Sequence, residues 1–122
     1  MSARLAPVFL ALALGVSGAP AAAQSTVASG DGVNLRGLDK ISGLTTDLAL
    51  SVGETISYGR MSISLISCRY PADDPSAEAY AFLEIIHETR NERMFYGWMV
   101  ASSPALNALD DARYDVWVLS CE

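Results

Sequence analysis

Apolar residues in this chain recur at every second position, in short runs broken by glycine, proline and acidic turns, which is the period of half-buried strands. Leu48, Leu50 and Val52 alternate with Asp47, Ala49 and Ser51. Ile56 and Tyr58 continue the pattern after a turn at Val52-Gly53-Glu54-Thr55, and Met61, Ile63 and Leu65 continue it after a second turn at Gly59-Arg60. Ile66 and Cys68 fall on the opposite parity, which predicts either burial on both faces or a local bulge. Pro71, Asp73, Asp74 and Pro75 make 70–79 a loop. Residues 80–88 suit a helix by composition, yet Phe82, Ile85, Ile86 and the flanking strands favour a strand. A polar hairpin loop at 89–92 leads into a strand over 93–100, and 114–121 is the last strand. Ser103 is expected to cap a short helix from Pro104 to near Leu109, with Asp110 and Asp111 in the turn after it. About six or seven strands with one short helix predict an all-β fold, a small antiparallel β-sandwich or barrel.

The N-terminus has a different character. Arg4 precedes the 12-residue apolar run Leu5–Val16, then Ser17-Gly18-Ala19-Pro20, then the small residues Ala21-Ala22-Ala23. This order reads as a signal peptide over 1–23, cut before Gln24. The run is shorter than the roughly 20 residues a spanning helix needs, so no stable membrane insertion is expected after cleavage. A periplasmic or secreted location follows. Gln24–Gly32, polar and small, is expected to be a flexible lead-in to one β-rich domain over 33–122. Loss of Arg4 takes the formal charge from −6 to −7, which argues against electrostatic attraction to nucleic acid or to an anionic membrane surface.

Two cysteines, Cys68 and Cys121, are expected to pair in an oxidising compartment. They lack the close spacing of a redox-active dithiol.

Six phrases occur together: Gly37-Leu38-Asp39-Lys40-Ile41-Ser42-Gly43, Val52-Gly53-Glu54, Phe82-Leu83-Glu84, Gly97-Trp98-Met99, Ala101-Ser102-Ser103-Pro104-Ala105-Leu106, and Tyr114-Asp115-Val116-Trp117 with Cys121. The set resembles a bacterial family of exported proteins classed as a domain of unknown function, from about Leu35 to Cys121. Tyr96 and Val100 depart from its pattern. The resemblance implies export and a paired cysteine, and it implies no reaction.

The residues offer little for catalysis. Ser102 and Ser103 are candidate nucleophiles and His87 is the one histidine, but no G-x-S-x-G elbow is present, and a hydrolase is the weaker alternative. Glu84 and Glu88 stand about 13 Å apart on a strand, too far for paired-carboxylate glycoside chemistry. No spacing of acids or histidine suggests a metal, and no cofactor is expected. The aromatics are more informative. Trp117 shares parity with Leu119 and Cys121, which predicts a core position. Trp98 lies opposite in parity to Phe95 and Met99, so it is open between core and surface. The expected partner or ligand surface comprises Asp39, Lys40, Trp98, Met99, Ser102 and Ser103. The function expected is a non-enzymatic interaction or assembly accessory of the cell envelope, bound to an envelope protein. The alternative is a saccharide or small-ligand module that uses exposed aromatics.

Overall fold

The computed structural model describes residues 2–4, 6–7, 10–15, 18 and 26–122. The expected cleavage sequence Ala21-Ala22-Ala23, with Gln24, lies outside them. Eight strands follow in order: β1 (Val27–Ser29), β2 (Gly32–Asp39), β3 (Thr45–Ser51), β4 (Thr55–Tyr58), β5 (Met61–Pro71), β6 (Tyr80–His87), β7 (Glu92–Val100) and β8 (Tyr114–Cys121). They build two antiparallel sheets. One runs β1-β5-β6-β7 with β4 also on β5; the other runs β3-β2-β8. The molecule is therefore a two-sheet β fold and not a closed barrel.

The alternating pattern places one parity of each strand between the sheets. Ile63 and Leu65 of β5, Leu83 and Ile85 of β6, and Val33 and Leu35 of β2 are fully or almost fully buried there with Val116 and Val118 of β8. Each such side chain is worth about 1.5–3 kcal/mol relative to exposure. Residues 80–87 are the strand that Phe82, Ile85 and Ile86 favour.

Three one-residue bulges interrupt the alternation: one is at Met94 in β7, left over between Arg93 and Phe95, the partners of Ile86 and Ile85, and the other two position the cysteines. In β5 the register slips between Leu65 and Ser67, so Ile66 is the extra residue, as the parity change at 66–68 predicts. Between β2 and β8 it slips between Asn34 and Leu35, where Val118 and Ser120 are the successive partners and Leu119 is left over. Each of these last two bulges turns the cysteine two residues later inward. Cys68 and Cys121 are bonded, with Cα atoms 5.8 Å apart, and join the two sheets.

The bulge in β8 corrects the expectation for Trp117. Cys121 and Trp117 share parity in sequence, but the extra residue at 119 breaks that relation. Trp117 pairs with Arg36 on the outer face and is half-buried, while Val116 and Val118 enter the core. Three further expectations are corrected. The lead-in over 24–32 contains β1, held by Ser29, Ala28 and Val27 against Arg69, Tyr70 and Pro71; three residues are too few to carry a readable period. The helix after Ser103 is a single 3₁₀ turn, Pro104–Leu106, and Ser103 makes no capping side-chain bond. Leu109 then drops into the core at 4 % exposure, which ends any helical path.

The end of the sandwich away from the disulfide is closed by rings on glycines. A Cβ at Gly37 would lie 2.5 Å from the Tyr58 ring, and one at Gly59 equally close to the Tyr114 ring. The two rings meet edge to face at 5.4 Å. Gly59 also has φ +60°, which favours glycine independently.

Two outcomes follow. Reducing Cys68–Cys121 reopens a 53-residue separation and is expected to cost about 4 kcal/mol in the chain-entropy account; thermal melts with and without reductant check this, and an unchanged midpoint contradicts it. Gly37→Ala is expected to cost about 1–3 kcal/mol by overpacking against Tyr58. Denaturant titration reads that loss, and Tyr58→Ala in the same chain should relieve the clash.

Candidate functional site

The outer face of β5, β6 and β7 is where large side chains remain uncovered. Cross-strand register sets its rows: Ser67, Phe82 and Trp98 stand side by side, as do Ser64, Glu84 and Tyr96, and Arg69, Tyr80 and Val100. These are the residues of opposite parity to Leu83, Ile85, Phe95 and Met99, so the alternation that fills the core also pushes them outward. Phe82 meets Tyr96 at 4.9 Å and Trp98 at 5.2 Å, edge to face in both cases. Such contacts add about 0.5–1.5 kcal/mol per pair beyond burial. Tyr96 is 54 % exposed and Trp98 38 %. The Arg93 guanidinium lies 4.3 Å from the Tyr96 ring centroid and pairs with Glu84 at 3.1 Å. Val27, Arg69, Tyr80 and Trp98 line an open hollow of about 280 Å³ beside this cluster. β7 is also a sheet edge; Asn107 Nδ2 donates to the Trp98 carbonyl from that side, at 3.0 Å.

Of the six residues expected on a partner surface, Trp98 is on this face. Met99 is not: it is 3 % exposed and packs inward with Ala81, its partner across the sheet. It neighbours Trp98 in sequence, but a strand sends adjacent side chains to opposite faces.

Asp39 ends β2 and Lys40 opens the turn after it. Asp39 Oδ1 accepts N–H bonds from Ile41 and Ser42, and its carboxylate pairs with Arg113 at 3.0 Å. Arg113 in turn lies over the Tyr114 ring at 5.2 Å. Lys40 Nζ donates to the Asp111 carbonyl at 2.7 Å. Asp39 therefore pairs with Arg113, not with its neighbour Lys40, and both residues tie the β2–β3 turn to the segment before β8. The Arg113 hydrogen bonds are the largest influence on the Asp39 carboxyl; burial opposes them, the two turn N–H groups add to them, and its pKa falls to about 2.

Ser102 and Ser103 sit at the other end. The Ser102 hydroxyl and N–H both donate to Glu78, the N–H at 2.9 Å. Burial pushes the Glu78 carboxyl up, and the bonds from Ser102 and Ala79 outweigh it and bring it below its ordinary value. Ser102 thus clamps the β5–β6 loop to the segment after β7. It lines a cleft with Leu119 and Ser120, whereas Asp39 pairs with Tyr114. Six residues of β8 separate those positions, about 20 Å by strand rise, so the turn at 39–40 and the loop at 102–103 do not form one groove. His87 is seven residues along β6 from Tyr80, the partner of Val100. That places it about 23 Å from the serines, beyond any nucleophile–base contact. Among the described residues no three His, Cys, Asp or Glu side chains gather as metal ligands.

Sequence reasoning did not bring Tyr80, Phe82, Arg69 and Arg93 onto one face with Trp98. The alternation within β6 and β7 was the available signal for the rings; Arg93 reaches this face only through the slip at Met94, and the strand order that makes all of them neighbours was not available.

A family model described as "Uncharacterized protein conserved in bacteria (DUF2155)" matches residues 33–121. The chain belongs to that family. The match covers β2 to the end of β8 and so contains the whole outer face except β1. The chain is also similar to "Uncharacterized protein RP359" of Rickettsia prowazekii (strain Madrid E), 28 % identical over 87 residues, which is 69 % of this chain and 56 % of the relative. This chain thus spans little more than half of that relative's length. No solved structure matches.

A pH dependence follows from Asp39. Its folded pKa is depressed, so its contribution to stability is present above the ordinary carboxylate value, near 4, and is lost as pH falls toward about 2. Asp39→Asn is expected to flatten the melting midpoint between pH 4 and 2 relative to the parent chain. An identical acid slope in both proteins contradicts the pairing with Arg113.

Proposed function

We propose that this domain is a non-enzymatic accessory of the cell envelope, acting in the periplasm or outside the cell, and that it docks a partner protein on the outer face of β5, β6 and β7. The Phe82–Tyr96–Trp98 cluster, with Tyr96 and Trp98 exposed and Phe82 half-buried between them, carries this reading. Tryptophan, tyrosine and arginine are the side chains that dominate binding at protein interfaces, and here they occupy one face with Arg93 and Arg69 beside them. The polar side chains weighed as a nucleophile and as a partner surface, Ser102 and Asp39, are employed within the fold. Ser102 holds a loop through Glu78, and Asp39 holds a turn through Arg113. Export rests on the leader pattern; Leu10, Leu12 and Leu14 are exposed, in keeping with a segment that does not pack on the domain. Among the described residues no helix is long and apolar enough to cross a membrane.

The fitting partner presents apolar or aromatic side chains to Tyr96 and Trp98 and an acid to Arg69. A second reading has one observation in its favour. The hollow of about 280 Å³ beside Trp98 offers a ring for stacking and a guanidinium for hydroxyls, the chemistry of a saccharide subsite.

The decisive experiment is affinity purification of the tagged chain from gently crosslinked envelopes, in parallel with Trp98→Ala and Tyr96→Ala. One dominant stoichiometric protein, reduced at least tenfold by either substitution, is the expected result. Equal recovery with the substituted chains overturns the docking face. A bait without a protein partner, whose tryptophan fluorescence responds saturably to cell-wall fragments, replaces this reading with the saccharide one.

A further inference from the structure

At the end of the sandwich where Asp39 and Tyr114 lie, a pocket of about 240 Å³ is lined by Arg60, Met61, His87, Asp111, Arg113 and Tyr114. Four separate segments supply these residues: the β4–β5 turn, the start of β5, the end of β6 and the approach to β8. Met61 is buried and closes the floor.

The polar groups around this floor are unequal in kind. His87 Nδ1 accepts the N–H of Arg90 at 3.2 Å and meets the Thr89 hydroxyl at 3.1 Å. A ring that accepts at Nδ1 carries its proton on Nε2 when neutral, so Nε2 is a donor. Among the described residues no protein acceptor meets it. Arg60 is exposed and has no ion-pair partner among the described residues. Arg113 spends Nε and Nη2 on Asp39 and retains Nη1. The one acid in the lining has one oxygen committed, and its Oδ1 meets no donor among the described residues. Asp111 Oδ2 accepts the N–H groups of Arg113 and Tyr114 at 2.9 and 2.8 Å. Burial pushes its carboxyl up; those two bonds, with Lys40 and Arg90 nearby, more than reverse that. Unspent donors thus outnumber unspent acceptors in one concave site, on a chain whose net charge is negative.

We propose that this pocket binds a phosphate-class anion. Arg60, His87 Nε2–H and Arg113 Nη1 reach it from three different elements. One arginine fork already saturates a planar carboxylate, whereas a tetrahedral anion keeps oxygens for several separately placed donors. The volume exceeds what one bare phosphate fills, which leaves room for the substituent of a monoester or diester. A lipid headgroup and a free phosphate share this chemistry. The site lies apart from the outer aromatic face and does not depend on what docks there.

His87 is the one histidine in the chain, so its imidazole signals report on the pocket without ambiguity. The protein purified from cells expressing the full chain is titrated with inorganic phosphate, against sodium chloride at matched ionic strength, and followed by nitrogen–proton correlation NMR. A saturable shift of the His87 ring that chloride does not reproduce is expected, with affinity at least tenfold weaker in Arg60→Gln. Arg60 is on an exposed turn, and an unchanged melting midpoint verifies that its variant is folded. His87→Gln, followed by calorimetry, should weaken phosphate binding comparably. Sedimentation with phosphatidylcholine vesicles containing phosphatidylglycerol separates the sources. Vesicle binding that phosphate competes away, and that Arg60→Gln abolishes, assigns a lipid headgroup; phosphate binding without vesicle binding assigns a soluble ligand. No shift with phosphate and no vesicle binding overturns the site. So does a shift that chloride reproduces or that Arg60→Gln leaves intact.

Discussion

The covalent link between the two sheets depends on two bulges. Without the extra residue at Ile66, Cys68 would stand on the outer face of β5 with Ser62 and Ser64. Without Leu119, Cys121 would stand outside with Trp117. Both slips are one residue long, both leave an apolar side chain at least partly exposed, and both turn a cysteine into the space between the sheets. A strand pair gives up local ladder bonding at a bulge, and here the return is a bond that removes freedom from the unfolded chain across more than fifty residues. The opposite end needs no such link. There Tyr58 covers Gly37 and Tyr114 covers Gly59, and Asp39–Arg113 lies over the second ring. Tyr114 and Cys121 are the two ends of β8, so that single strand anchors both closures.

The open flank between β7 and β8 is handled differently again. The segment from Ala101 to Arg113 crosses from one sheet to the other, and Leu109 is its buried contribution. Ser102 pins its beginning to Glu78, Asn107 pins its middle to Trp98, and Lys40 pins its end at Asp111. None of these anchors is a helix cap, although serine followed by proline is a helix-start signal in sequence. The cap reading failed because burial of Leu109 fixes the path of the segment, and a continuing helix from Pro104 would not deliver that side chain to the core.

Legibility followed the length of the uninterrupted pattern. β6 was readable because Ala81, Leu83 and Ile85 keep one parity without a slip. The bulge in β5 was readable because polar serines before it and apolar residues after it make the parity change visible. The bulge in β8 was invisible: Trp117, Val118 and Leu119 are all apolar, so neither parity stands out, and parity with Cys121 alone sends Trp117 inward. β1 was unreadable because its pairing with β5 is a backbone interaction. The motifs at Asp39-Lys40 and Ser102-Ser103 were legible as turns. Their use as clamps was not, because Arg113 and Glu78 approach from segments far away in sequence. Trp98 was legible as a surface candidate by parity alone, and its companions on β5 and β6 waited on strand order.

The two outer faces contrast in what they leave unspent. On β3-β2-β8 the polar side chains answer one another: Asn34 donates to Ser120, and Arg36 pairs with Asp47 across the strands while Trp117 stands beside it. Exposed pairs of that kind contribute little to stability, but they satisfy the face with its own groups. On β5-β6-β7 the pairing of Arg93 with Glu84 satisfies only the margin, and the middle is rings. Rings packed edge to face against each other still expose their remaining faces to water. Covering them is favourable at about 25 cal/mol per Å² of apolar area removed, and their positions are already fixed by the sheet below. A binding surface gains from that rigidity, because little side-chain freedom remains to be lost when a partner arrives. The same alternation that fills the core of this sandwich therefore prepares the face opposite it.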